Sequence, residues 1–198
     1  MNTKKWGIYE APPRVKQADH VAGGELKIIG AIRNGKDTTG GIQSSFGQKY
    51  GRWEVRFRAD KGAGYSAVVL LWPSGGNPWP SDGEIDIMEV GNPTRQSGSS
   101  WLHNGIPEHK KSGPSQHVDF SRWHTVAVEW LPKSITFFLD GKKTFRTTNK
   151  NLIPTTQPMH VALQFDKCDG YWVKCRTKKT KRWMVMHVDW VKAYALPR

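Results

Sequence analysis

Residues 51–59 (GRWEVRFRA) alternate without a break. Trp53, Val55, Phe57 and Ala59 fall on one face, and Arg52, Glu54, Arg56 and Arg58 on the other. A period of two with one apolar and one charged face predicts a half-buried antiparallel strand. Residues 67–72 (AVVLLW) are apolar at every position, which predicts a strand covered on both faces. Further strands are predicted at 25–32, 84–90, 125–130, 134–139, 159–165 and 185–194. Asp140-Gly141 between ITFFL and KKTF marks a two-residue hairpin turn. No stretch keeps a helical period, so an all-β fold is expected, a sandwich or barrel, as one domain over 1–198 without repeat or linker. Trp53, Trp130 and Trp190 stand at strand positions that read as core, Trp72 reads the same way, and His124 reads as structural.

Composition sharpens this picture. Trp is 10 of 198 residues and Gly plus Pro account for 20 and 12, a mixture that suits tight turns and the stacking of sugars or bases. Lys plus Arg exceed Asp plus Glu by 13, so the surface attracts polyanions. Six of the basic residues crowd into 174–182 (KCRTKKTKR), which reads as a solvated hairpin tip or as an anion-binding patch. No nucleic-acid motif accompanies the charge, so nucleic acid is not an expected partner. The longest strongly apolar run is 67–72, too short for a membrane helix, and membrane insertion is not expected. The opening MNTKKWGIYE has no apolar stretch and does not read as a secretory leader. Cys168 and Cys175 are the only cysteines. Either they are free thiols or they close a short loop, which would stabilise by roughly 2.5 kcal/mol on a chain-entropy model and imply an oxidising compartment.

The segment DGEIDIMEV at 82–90 holds the most chemistry. Strand alternation puts Glu84 and Asp86 on one face, with Ile85 and Ile87 on the other. Continued strictly, it would bury Glu89 and expose Met88, which is costly for a carboxylate. A one-residue bulge at Ile87-Met88 turns Met88 inward and Glu89 outward, so Glu84, Asp86 and Glu89 share one surface. Like charges on one strand face repel. Three readings follow: a solvated edge strand, a hard-cation site of three oxygen ligands, or the paired carboxyls of glycoside hydrolysis. In a retaining glycosidase those carboxyls stand about 5–5.5 Å apart. The α-carbons of Glu84 and Glu89 would be roughly 13 Å apart, a gap that two inward-leaning side chains can close.

These residues carry a resemblance to glycoside hydrolase family 16. DGEIDIMEV resembles its catalytic signature, in the form with an extra residue before the last Glu that laminarinases, agarases and carrageenases share. GGIQSSFGQKYGRWEVRFRA, LLWPSGGNPWPS, WHTVAVEWLPKSITFFLDGK and VDWVKAY resemble the flanking strands in the same order. The resemblance implies a β-jelly-roll sandwich of two antiparallel sheets with a glycan-binding cleft on the concave face. It implies Glu84 as nucleophile, Asp86 as its helper and Glu89 as general acid/base, with Trp79, Trp101 and His103 against the substrate. The activity implied is retaining, endo-acting cleavage of a β-linked polysaccharide, by default a β-1,3- or mixed-linkage glucan. A galactan, an anionic cell-surface glycan or a non-catalytic lectin-like sandwich is the alternative. The family's usual Tyr after the His is Asn104 here, and its N-terminal Phe-x-Asp-Asp-Phe strand has no counterpart. Asp189 matches a structural-calcium ligand of many members, but the N-terminal partner is absent, so no cofactor is expected. The chain is expected to be a monomer that acts on a polysaccharide outside the cell or at its surface.

Overall fold

A computed structural model describes residues 2, 4–9 and 13–196. The described chain is strand almost throughout. In order these are β1 (Trp6–Ile8), β2 (Asp19–Ala22), β3 (Glu25–Arg33), β4 (Lys36–Thr38), β5 (Gly41–Gln48), β6 (Gly51–Ala59), β7 (Tyr65–Pro73), β8 (Glu84–Val90), β9 (Ser99–Asn104), β10 (Ile106–Ser112), β11 (His124–Leu131), β12 (Ser134–Leu139), β13 (Lys142–Thr147), β14 (Met159–Lys167) and β15 (Trp183–Tyr194). One sheet has the order β1-β5-β14-β7-β8-β9-β10. The other runs β13-β12-β11-β6-β15-β3-β2, with β4 paired to β3. All named pairings are antiparallel and the two sheets stack as a jelly-roll sandwich. The only helical segments described are two single 3-10 turns, Lys16–Ala18 and Lys150–Leu152, so no described helix is long and apolar enough to cross a membrane.

The alternating strand β6 occupies the middle of the second sheet, its Trp53, Val55, Phe57 and Ala59 buried between the sheets. Trp53 stacks on Trp130 at 6.1 Å, and Tyr65 on Phe165 at 5.0 Å. The hairpin between β12 and β13 turns on Asp140 (φ 48°) and Gly141 (φ 78°). Both central residues are left-handed, as a twist-matched two-residue turn requires. His124 is structural, bonded to the Asp140 side chain and the Asp119 carbonyl.

The apolar strand β7 explains its own composition. Tyr65, Ala67, Val69 and Leu71 enter the main core, while Val68 and Leu70 pack with Ala162 in a second, small cluster on the opposite face. Trp72 belongs to that second cluster and lies half-buried on the outer face of the first sheet, not between the sheets. Trp190 is also displaced from its expected place. The β15–β6 register jumps between Val188 and Trp190, leaving Asp189 as the extra residue. Val188 and Val191 therefore face inward, while Trp190 sits opposite Arg56, half-buried beneath the Lys192 ammonium. The Asp189 carboxylate is bonded to the Arg56 guanidinium. A divalent cation there would meet that positive charge, so these residues do not fit a calcium ion.

Cys168 and Cys175 form a disulfide, with α-carbons 4.9 Å apart. The basic segment 174–182 is a loop leading into β15 rather than a strand hairpin. Arg176 is bonded to Tyr65 Oη (3.2 Å) and the Lys181 carbonyl (2.9 Å), while Lys178, Lys179, Lys181 and Arg182 face solvent.

A fully buried arginine ties the end of β8 to the start of β7 and the turn after β6. Arg95, 0 % exposed, donates to the carbonyls of Asp60 (2.9 Å), Val90 (2.7 Å) and Tyr65 (2.8 Å). Burial lowers its pKa to about 10, which leaves it charged at neutral pH. Arg95→Met keeps much of the volume but strips three buried carbonyls of their donor. A loss of about 3 kcal/mol in urea unfolding is expected, since each unsatisfied buried acceptor costs about 1–3 kcal/mol. An unchanged midpoint would show that water replaces the guanidinium without loss.

Candidate active site

The site is built on β8 and its neighbours in the first sheet. Asp82, buried before the strand, accepts from the Asn77 N–H (3.2 Å), Asn77 Nδ2 (2.9 Å) and Thr156 Oγ1 (3.2 Å), fixing the loop that carries Trp79. Gly83 follows at φ +84°, where a β-carbon would lie 2.5 Å from Pro154, so both conformation and space demand glycine. Its neighbours in DGEIDIMEV then divide by face.

Opposite β7, Ile85 pairs with Leu71, Asp86 with Leu70, Met88 with Val69 and Glu89 with Val68. Ile87 is thus the extra residue, the bulge that the burial of Met88 requires. The bulged carbonyl of Ile87 is satisfied by the Ser100 hydroxyl at 2.8 Å. Ile85, Ile87 and Met88 enter the core. Glu84, Asp86 and Glu89 share the outer face with Val68 and Leu70. On the other side Glu84 pairs with His103, Asp86 with Trp101 and Glu89 with Ser99. All six expected site residues come together here, since Trp79 donates its indole N–H to Glu84 and packs its ring 5.2 Å from His103.

Burial and mutual repulsion act on all three carboxyls. Oxygens of Glu84 and Asp86 and a ring nitrogen of His103 lie within 4.8 Å of one another, the one group of three potential metal ligands among the described residues. His103 Nε2 stands 3.3 Å from Asp86 Oδ2. Asp86 is only 2 % exposed, and burial followed by the Glu89 charge raises its pKa well above the ordinary value. Burial and the Asp86 charge push Glu84 up to about 8, opposed by the Trp79 N–H and by His103. The hydrogen bond between the two carboxyls raises Glu84 further and lowers Asp86. Burial, then the charges of Glu84 and Asp166, push Glu89 up to about 7. All three carboxyls are thus raised by burial and by one another, so the strand face holds protons at neutral pH that ordinary carboxyls would have lost.

A cleft of about 420 Å³ opens from Glu89 away from Trp79, bounded by Trp101, Asp166, Asp169 and Trp172. Sequence reasoning missed Asp166 and Trp172. Asp166 comes from β14 and is bonded to Arg14, residues far apart in the chain whose meeting no local pattern announces. Exposed aromatics beside a cysteine were the only signal for Trp172.

The family model of glycosyl hydrolases family 16 matches residues 14–192. The chain belongs to this family. Its curated relatives include the beta-glucanase of Acetivibrio thermocellus, 37% identical over 119 residues (58% of this chain, 33% of that protein), and that of Rhodothermus marinus, 33% identical over 135 residues (58% and 46%). The chain therefore spans a third to a half of the length of these relatives. Among solved structures it resembles the laminarinase catalytic domain of Thermotoga maritima, with a TM-score of 0.88 at 19% identity over 100% of this chain and 94% of that one. The Bacillus licheniformis beta-glucanase gives a TM-score of 0.82 at 21% identity, over 99% and 94%.

Proposed function

We propose that the chain is an endo-acting hydrolase of a β-linked glucan, β-1,3- or mixed-linkage, working by double displacement with retention. The observation that carries this reading is the bulge at Ile87, which brings Glu84, Asp86 and Glu89 onto one strand face beside Trp79 and His103. Glu84 attacks the anomeric carbon while Glu89 gives its proton to the departing glycosidic oxygen. Asp86 keeps its proton and hydrogen-bonds the nucleophile. Glu89, now ionised, removes a proton from water, which attacks the glycosyl ester and restores the resting site. The cleft next to Glu89 favours a neutral polymer, since it presents Glu89, Asp166 and Asp169 against one basic residue, Lys167. The surplus positive charge lies elsewhere on the surface.

The test is proton NMR of the products formed from a β-1,3-glucan and from a mixed-linkage glucan during the first minutes of reaction. New reducing ends should appear first as β-anomers. Initial α-anomers would make the enzyme inverting, and no new reducing ends would leave a glycan-binding sandwich.

The pH dependence follows from the same groups. Active enzyme has Glu84 ionised and Glu89 protonated, so kcat/KM falls on the alkaline side as Glu89 loses the proton that burial and the charges of Glu84 and Asp166 help it keep. Asp166 helps to hold that proton by charge repulsion. Asp166→Asn is expected to move the alkaline limb to lower pH. A limb that stays in place or moves upward would deny Asp166 this influence.

A further inference from the structure

The surplus of positive charge has no part in the chemistry above, and it is not spread evenly. Arg14, Arg52, Arg56 and Lys61 each hold a carboxylate. Lys36, Lys178, Lys179, Lys181 and Arg182 are exposed, and among the described residues none of them forms an ion pair. They gather at one end of the sandwich, where the loop before β15 meets the hairpin of β3 and β4. Tyr65 Oη ties the two together, bonded to Asp37 on the hairpin and to Arg176 on the loop. The acids nearby are engaged, Asp37 by that hydroxyl and Asp60 by His187, whose Nε2 stands 3.7 Å away.

A solvated tip would account for the lysines alone, but not for the ring among them. Trp183 opens β15 directly after the basic turn and is 49 % exposed. Met184 and Met186 enter the core, so Trp183 stands on the outer face of the second sheet. The guanidinium carbons of Arg33 and Arg182 lie 5.9 and 5.7 Å from the centre of its ring. The turn beside it is pinned. Thr177 N–H donates to Thr180 Oγ1 (2.9 Å), Lys179 N–H to Thr177 Oγ1 (3.2 Å) and Arg176 to the Lys181 carbonyl (2.9 Å). A surface ordered before binding loses little entropy when a ligand arrives.

An indole takes the apolar C–H face of a sugar ring. A uronic acid carries its carboxylate directly on that ring, within reach of guanidiniums that flank the indole. The planar fork of arginine matches a carboxylate in pairs of hydrogen bonds. Later carboxylates along the same polymer meet the lysines of the turn. Single-stranded nucleic acid fits less well, since it is held by successive rings along a groove, and Trp183 is a single ring on an open face. The cleft lies on the outer face of the other sheet, and its Glu89, Asp166 and Asp169 repel a polyanion. Such a polymer is therefore a ligand and not a substrate.

We propose that the outer face around Trp183, with Arg33, Arg182 and the lysines of the 177–182 turn, is a docking surface for a polyuronate. It holds the protein on a charged matrix while the cleft, on the opposite side, stays open to neutral glucan. The binding is independent of the hydrolase reading above; only its benefit to cutting rests on that reading.

The test is calorimetric titration with a polymannuronate oligosaccharide at low and at physiological salt. The combined variant Lys178→Gln, Lys179→Gln, Lys181→Gln should bind about tenfold more weakly than the parent at low salt. The difference should narrow at physiological salt, where exposed charges are screened beyond about 8 Å. Trp183→Ala should weaken binding about fivefold at both salts, the scale of a lost aromatic contact, and Trp183→Phe should recover most of it. Turnover of soluble neutral glucan should stay within about twofold of the parent for every variant, which shows the fold and cleft intact. Glucan entrapped in a polyuronate gel should be cut more slowly by the weakened variants than by the parent. Parental affinity in Trp183→Ala would reduce the patch to unspecific charge and overturn the proposal. So would a parent that does not bind polymannuronate at low salt, or that binds heparin, single-stranded DNA or anionic vesicles more tightly at matched charge. A parent that binds polymannuronate but cuts no glucan would remove the hydrolase reading and leave the docking surface standing.

Discussion

Glu84→Gln is expected to reduce hydrolysis of β-glucan by about four orders of magnitude or more, with the fold intact. The amide matches the carboxylate in size and still accepts from the Trp79 N–H, but it cannot form the glycosyl ester. No other carboxyl can replace it: Asp86 is buried beneath the surface, and Glu89 stands at the far end of the bulge. Folding of the variant is checked by its far-UV circular dichroism and its melting temperature, which should be no lower than the parent's, since the amide removes a buried carboxyl. A variant retaining activity within tenfold of the parent would remove Glu84 from the nucleophile's role, whatever its melting behaviour.

Glu89→Ala is expected to separate the two halves of the reaction. On unactivated glucan the loss should approach that of Glu84→Gln, because no acid remains beside the leaving oxygen. On a substrate with a good leaving group the glycosyl ester should still form and then persist, since the base that activates water is missing. Azide needs no base and is small enough for the space that the truncation opens. Added azide should accelerate turnover of such a substrate and yield a glycosyl azide of β configuration, two inversions giving retention. An α-azide would point to direct displacement on the opposite face and to an inverting enzyme. Absence of any rescue would leave Glu89 without its assigned part.

The sequence made the catalytic strand legible because burial there admits one solution. Met88 must enter the core and Glu89 must leave it, and only an extra residue satisfies both. The same device in β15 went unread. Val188 and Trp190 have the same parity and both are apolar, so nothing in the pattern demanded the bulge at Asp189 that turns Trp190 outward. The short strands β1, β2 and β4 also left little trace, since an edge strand of three or four residues has no room for a period. Trp72 was misplaced because β7 is apolar on both faces, and alternation cannot tell which side lies between the sheets. Asp166 and Arg95 depend on contacts across the fold, Arg14 with Asp166 and Arg95 with three distant carbonyls. Charge in a sequence tells that a partner is needed, not where it will be found.

The bulge at Ile87 sets the spacing of Glu84 and Glu89 independently of the side they occupy. Removing Ile87 would leave Glu-Ile-Asp-Met-Glu, in which plain alternation still sends all three carboxyls to the cleft and Ile and Met to the core. The reach between the outer two would shorten while their orientation survived. Most single-residue deletions in a strand invert everything downstream, as a slip of register does. At this one position the strand tolerates a change of length without a change of facing. The distance between Glu84 and Glu89 can therefore be altered in one step, by deletion, at the cost of one buried side chain, that of Ile87.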